Sequence, residues 1–393
     1  MTQAHSVLVG ISLGTYSCSV SHLKDDHPEI IPNEDGDRFI PSVITFTEDT
    51  ILVGTQAKIQ AFKNPRTTIC DFIGVPFVDF EKNKSFDKES EKFELGEKFY
   101  SFKELLRIYL STLKVSAETY LGNTITGVVL SIPFSLSKEE RLVYLDAAKE
   151  ASLNVIQLLD DSSSSMYHVI NKYAPEKNEL KALVVDIGYS SLKLSTFHSK
   201  DGLLVTPSQI QHTDFGSSSL TRVLYNHFST EFKRKTGIDI NDYKKSVIKM
   251  KNAIEKTKMS LSHADVSNCF VESLAEGVDF SSTINRNKFE FMSESFFNGF
   301  KTAIVQSLNS FPVDMVILTG ASARIPKIQL IAKNICASAT VIVSPEPEAD
   351  SVNGAATQAQ LFKNLFDFQF KEDDVLGLNE EECILENGLY KIK

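Results

Sequence analysis

At 393 residues the chain is longer than one compact domain and suits two lobes, each with its own core. Its 42% hydrophobic and 23% charged residues exclude a disordered or fibrous chain. A net charge of −10 argues against a generic nucleic-acid surface, so no direct, specific nucleic-acid partner is expected.

The first predicted element is residues 7–20, VLVGISLGTYSCSV. An apolar β-branched run turns at glycine and alternates back out, which is the pattern of a β-hairpin. A turn cluster at 33–37 precedes a strand restarting at Ile40, and the charged tract 82–98 reads as a solvated excursion with a short hairpin at 93–98. Residues 101–120 carry Phe102, Leu105, Leu106, Ile108, Tyr109, Leu113 and Val115 at the spacing of an amphipathic helix. The apolar run 127–133 is a buried strand, and Ser137 with Glu140 three residues on predicts a capping box for a helix to about Glu150. Residues 154–159 form another buried strand. The run from Asp160 through Ser165 then reads as the N-terminal turn of a helix from Met166 rather than as a linker.

Residues 183–196, LVVDIGYSSLKLST, repeat the opening hairpin. Aligning Gly14 with Gly188 sets Ser12 against Asp186 and Thr15 against Tyr189. Two such hairpins predict duplicated α/β lobes facing across a cleft, and backbone N–H groups in such turns hold anions, phosphates above all. Beyond them come a helix carrying Leu220 to Phe228, a cationic helix end at Lys233 to Lys235 before Gly237, and a long polar helix over 243–261. Strand, turn and helix start follow over 269–289, then a buried strand at 315–319, a helix after Pro326 and a last helix over about 351–366. Glycine turns at 10–15, 188–191, 216–219 and 320–322 all sit at strand ends. Asp186, ending a buried strand, is either a carboxylate for Mg²⁺-bound water or a turn-capping aspartate. Cys18, Cys70, Cys269, Cys336 and Cys383 are scattered and lack CxxC spacing, which fits a reducing compartment and gives no zinc pattern. With no basic leader and no apolar run long enough for a bilayer, a cytoplasmic protein without a membrane partner is expected.

Residues 272–280, ESLAEGVDF, continued by Arg286 and Phe289-Glu290, are similar to the "SLYEGxDF…RxxFE" pattern of the heat shock protein 70 family. GASARIPKIQ at 320–329 resembles that family's adenosine motif, and Gly354-Ala355-Ala356 its second connecting segment. The chain thus resembles the family's nucleotide-binding domain from residue 7 to about 366. The resemblance implies an α/β, actin-like ATPase fold with two duplicated lobes around a nucleotide cleft. Lobe I would span 1–175 with a subdomain inserted at about 42–102, and lobe II 176–366 with one at about 217–291. The last helix would pack back on lobe I, and 367–393 would be an acidic tail or linker relic, with no substrate-binding domain.

Carried over by position, adenosine contacts would come from Glu255, Lys258, Ser262, Gly320, Ala321, Ser322, Arg324 and Glu348. Phosphate contacts would come from Gly14, Thr15, Tyr16, Gly188, Tyr189, Gly216 and Ser217. Asp186 and Asp161 are the residual catalytic candidates, with Asp186 holding Mg²⁺ through water. The implied cofactor is ATP or ADP, with Mg²⁺.

Several positions depart from the family. Ser12 stands at a metal-site aspartate, Tyr16 at a small threonine, and Gly188-Tyr189-Ser190-Ser191 at a run of glycines and threonine. Lys193 replaces a carboxylate, Cys70 falls near the catalytic lysine, and Asp161-Ser162 replaces a glutamate-proline switch. Losing a metal carboxylate and a cation removes electrostatic stabilisation that phosphoryl transfer needs, so ATP binding with weak or no hydrolysis is expected. IGVPF at 73–77 and NCFVESLAEG at 268–277 are similar to an atypical ribosome-associated branch of the family. That likeness implies a scaffold or co-chaperone in cotranslational folding, partnered by a zuotin-type J-domain protein, the ribosome and other heat shock protein 70 chaperones. The competing expectations are a slow chaperone ATPase and a small-molecule kinase of the actin-like superfamily.

Overall fold

The computed structural model describes residues 7–173, 179–200, 203–365, 383–386 and 389–392. Two mixed sheets organise it. The first runs in the order Val155–Asp160, Gly127–Ile132, Leu8–Leu13, Ser17–Lys24, His27–Ile31, with the short strand Ile40–Pro41 beside Ser17–Lys24. The second runs Leu203–His212, Leu192–Lys200, Glu179–Ile187, Met315–Thr319, Thr340–Val343. In each sheet the leading strand of a hairpin pairs antiparallel with its return strand and parallel with a later one. Leu8–Leu13 lies beside Gly127–Ile132, and Glu179–Ile187 beside Met315–Thr319. The two predicted hairpins therefore open two lobes of like topology, the actin-like arrangement.

The central strands read as continuous apolar runs because helices cover both faces. Every residue of Gly127–Ile132 is buried, and so is every residue of Met315–Thr319. The predicted capping box at Ser137 and Glu140 forms and opens the helix Lys138–Glu150. A second box, Ser101 with Glu104, opens the helix Phe102–Leu121 and was overlooked in the sequence. Its buried stripe is Phe102, Leu105, Leu106, Tyr109, Leu110 and Leu113, whereas Val115, included in the predicted stripe, faces solvent. The cationic end Lys233 to Lys235 does close a helix, Ser217–Thr236, at a left-handed Gly237, with Lys233 bonded to Asp239.

The serine run corrects one expectation. The helix begins at Asp161, not Met166, and Ser162 to Ser165 form its first turns, all buried. The last helix, Asp350–Leu365, crosses this serine helix and the strand Leu8–Leu13 at backbone contact. A Cβ on Gly354 would stand 1.9 Å from the Ser164 carbonyl oxygen. Only small side chains permit such an approach, which excludes leucine, and the Ser164 hydroxyl adds a bond to the Ser351 carbonyl that alanine could not make. Ser351 joins the layers: its hydroxyl bonds Ser131 at 2.7 Å and Ser12 at 3.2 Å, and its carbonyl accepts from Ser164. The acidic tail predicted at 367–393 lies outside the described residues except for Cys383–Glu386 paired with Leu389–Ile392. Among the described residues no helix is long and apolar enough to cross a membrane.

Replacing Gly354 with alanine tests the crossing. Alanine gains about 1 kcal/mol of helix propensity, yet the clash with Ser164 should outweigh it. A net loss of about 1–3 kcal/mol, read as a lower urea midpoint, is expected.

Asp350 supplies a pH test. It is 1% exposed, one carboxylate oxygen accepts from Ser344 at 2.7 Å, and the other has no partner among the described residues. Burial pushes its pKa up to about 7. Between about pH 4 and 7 the unfolded carboxyl ionises while the folded one stays protonated, so this group lowers stability by up to about 4 kcal/mol as pH rises. The stability of Asp350→Asn relative to the wild type should accordingly increase across that window and level off above it.

Candidate functional site

The turn of the first hairpin is fixed from behind: the Ser42 hydroxyl donates to the Gly14 carbonyl at 2.6 Å and the Ser42 amide to the Tyr16 carbonyl at 3.0 Å. The turn of the second is fixed by the helix Ser217–Thr236. Its leading amides, Ser217 and Ser218, donate to the Gly188 and Tyr189 carbonyls at 2.9 Å each, with Gly216 as a cap lacking a side-chain bond. Helix N-terminal amides are natural phosphate donors, and here the first of them serve the hairpin instead.

The two turns also meet across the cleft. Thr15 and Ser190 hydroxyls lie 3.1 Å apart, and the rings of Tyr16 and Tyr189 make a tilted contact with centroids 5.1 Å apart. Lys58 donates to the Tyr16 hydroxyl at 2.9 Å and sits 4.7 Å over its ring. Burial raises the Tyr189 phenol well above its ordinary value, and the negative charges of Asp71 and Glu255 add to that. Cys70, near the position of the family's lysine, is exposed, and its thiol donates to Asp71 at 3.6 Å.

Behind the tyrosines lies an ionic triad. Asp186 and Lys193 are direct cross-strand partners, which puts both side chains on one face of the hairpin. The Lys193 ammonium donates to Asp186 at 3.2 Å and more closely to Asp161, at the head of the serine helix. Burial works against this ammonium, but the charges of Asp161 and then Asp186 outweigh it and hold its pKa above the ordinary lysine value. Burial also lifts the Asp161 carboxyl, with Lys193 pulling it down and Asp186 pushing it further up. Ser12, aligned with Asp186 by the repeat, bonds Ser351 instead.

The residues assigned to adenosine fall into two groups. On the polar helix Lys244–His263, the buried Lys258 donates to Thr221 at 2.8 Å and Glu255 at 3.0 Å, and Thr221 in turn donates to Glu255. Burial lowers the Lys258 pKa while Glu255 opposes the shift. Among the described residues Ser262 makes one long bond, 3.5 Å to the Lys258 carbonyl. In the other group Arg324 forks onto Glu348 with bonds of 3.0 and 2.7 Å. The turn Gly320 to Ser322 lies next to Asp186. Gly320 has φ +80, and a Cβ there would stand 2.7 Å from an Asp186 carboxylate oxygen, so only glycine fits. An open cavity of about 460 Å³ lies elsewhere, at the outer mouth, lined by residues including Phe62, Arg66, Tyr243, Lys245 and Lys249.

The sequence reading missed Lys58, Thr221 and Ser351. It also missed the role of Lys193, although counting outward from the Gly188 to Ser191 turn pairs it with Asp186. Among the described residues no group of three or more His, Cys, Asp or Glu is placed to hold a metal ion. With both carboxylates on Lys193 and an uncharged Ser12, the set does not fit a hard divalent cation, which needs free oxygen ligands.

The sequence pattern described as Hsp70 protein matches residues 8–379. "Heat shock 70 kDa protein 2" of Paracoccidioides lutzii is 30% identical over 90% of this chain and 57% of its own length. A "Ribosome-associated molecular chaperone" of Saccharomyces cerevisiae is 29% identical over 90% of this chain and 61% of its own. "Heat shock 70 kDa protein 14-A" of Xenopus laevis is 27% identical over 97% of this chain and 82% of its own. This chain thus spans under two thirds of the first of these relatives. Two like lobes, hairpin turns facing across a cleft and a match over nearly the whole length agree: the chain belongs to the Hsp70 family.

Proposed function

We propose that this chain is a cytoplasmic ATP-binding scaffold or co-chaperone in cotranslational folding at the ribosome, with weak or no ATP hydrolysis. One observation carries the reading: the ends of the cleft differ. At the adenosine end polar side chains are retained in two groups, Glu255 with Lys258 on the polar helix and Arg324 with Glu348 beside the Gly320 turn. At the phosphate end Tyr16 meets Tyr189, and the carboxylates able to orient a hydrolytic water are ion-paired to Lys193. An ion-paired carboxylate is a poor general base, and the tyrosine contact crowds an attacking water.

The proposed division is a first lobe over 1–175 and a second over 176–366, with ATP or ADP between them. A zuotin-type J-domain protein, the ribosome and other Hsp70 chaperones are the proposed partners. The ribosomal part is supported by the yeast relative whose name places it there.

Calorimetric titration with ATP followed by single-turnover hydrolysis on the same sample tests the proposal. Saturable binding without turnover above the spontaneous rate is expected, whereas turnover at ordinary chaperone rates would overturn it. Arg324→Ala leaves Glu348 unpaired at the adenosine end and should weaken binding about tenfold, or roughly 1.4 kcal/mol.

A further inference from the structure

We infer that the Lys193 ammonium takes the place of a divalent cation between Asp161 and Asp186, so that nucleotide binding here does not depend on Mg²⁺. The inference rests on the nucleotide reading above and specifies the chemistry of its phosphate end. Hsp70 proteins generally bind ATP or ADP with Mg²⁺, and a cation set among carboxylates is what ties the phosphates to such a site. In this chain the position is filled from within. Lys193 is 8% exposed, is held in register opposite Asp186, and bonds both carboxylates. An ammonium has three N–H donors. Two go to Asp161 and Asp186, which leaves one for an anionic oxygen. A divalent ion brought to the same oxygens would meet a buried charge of its own sign.

Two neighbours point the same way. Ser12, opposite Asp186 in the repeat, offers no charge, and its hydroxyl is engaged by Ser351. Lys58 brings a second ammonium to the first hairpin through the Tyr16 hydroxyl. Lys193 thus supplies fixed positive charge where the family recruits a mobile ion. Affinity then rests on the adenosine end and on the Lys193 ammonium.

The test is calorimetric titration of the wild-type chain with ADP and with ATP, in EDTA and in excess Mg²⁺. The expected result is a Kd that Mg²⁺ leaves unchanged within threefold, or weakens because chelated nucleotide is the poorer ligand. Tightening by more than threefold overturns the inference. Lys193→Gln should lose at least fivefold in EDTA and recover part of it in Mg²⁺, and a variant that folds, by its circular dichroism, yet binds like the wild type in EDTA overturns it as well. A wild-type chain that binds no nucleotide in either buffer sinks the nucleotide reading instead. The inference is then decided by Mn²⁺ alone, followed by electron paramagnetic resonance on nucleotide-free protein. A free-ion signal that the wild type leaves intact supports it, and a loss of signal that Asp186→Asn abolishes overturns it.

Discussion

The last helix passes over the serine helix backbone to backbone, at Gly354 and Ser164. Everything at the cleft floor depends on that crossing. It sets the depth of the serine helix, and Asp161 heads that helix. It also places Ser351 among Ser12, Ser131 and Ser164, so a single residue of the last helix ties the first hairpin to its neighbours. A larger side chain at any of these positions would lift the helix and move Asp161 with it, because packed interiors transmit displacement rather than absorb it.

The ionic triad is built on this base and joins the lobes. Asp161 comes from the first lobe, while Asp186 and Lys193 come from the hairpin of the second. Buried ions repay their desolvation only when geometry and partners are both good. Here one ammonium serves two carboxylates, and the Thr15–Ser190 bond and the tyrosine contact lie alongside. The family's chemistry needs a cation, free carboxylates and open turns in one place. In this chain Lys193 occupies both carboxylates and Tyr16 meets Tyr189 at the turns, while polar groups stand at the other end of the cleft.

Much of this was legible in the sequence. The hairpins, the capping box at Ser137 and Glu140, the helix end at Gly237 and the family likeness rest on local patterns, which a single chain states directly. The serine run is legible as the start of a helix, but not as its buried first turns, because the contact that buries them lies 190 residues away at Gly354. The role of Lys193 was half legible. Its register with Asp186 follows from turn length, but the approach of Asp161 comes from another lobe and appears only in the folded chain. Lys58 on Tyr16 is of the second kind too, a contact between elements that no periodicity announces.

The distribution of contacts along the cleft separates two events that are one in a symmetric clamp. At the floor the lobes are joined by an ion bridge, a hydroxyl pair and a tilted ring contact, whereas the cavity at the outer mouth is bridged by Lys249 lying 6.0 Å over the Phe62 ring. A half-exposed cation–aromatic contact is worth on the order of 1 kcal/mol, little more than thermal energy. The mouth is therefore held by less than the floor, where an ion bridge and an apolar cluster shared by both halves hold them. The firmness of the join between the halves therefore resides at the floor and not at the tips.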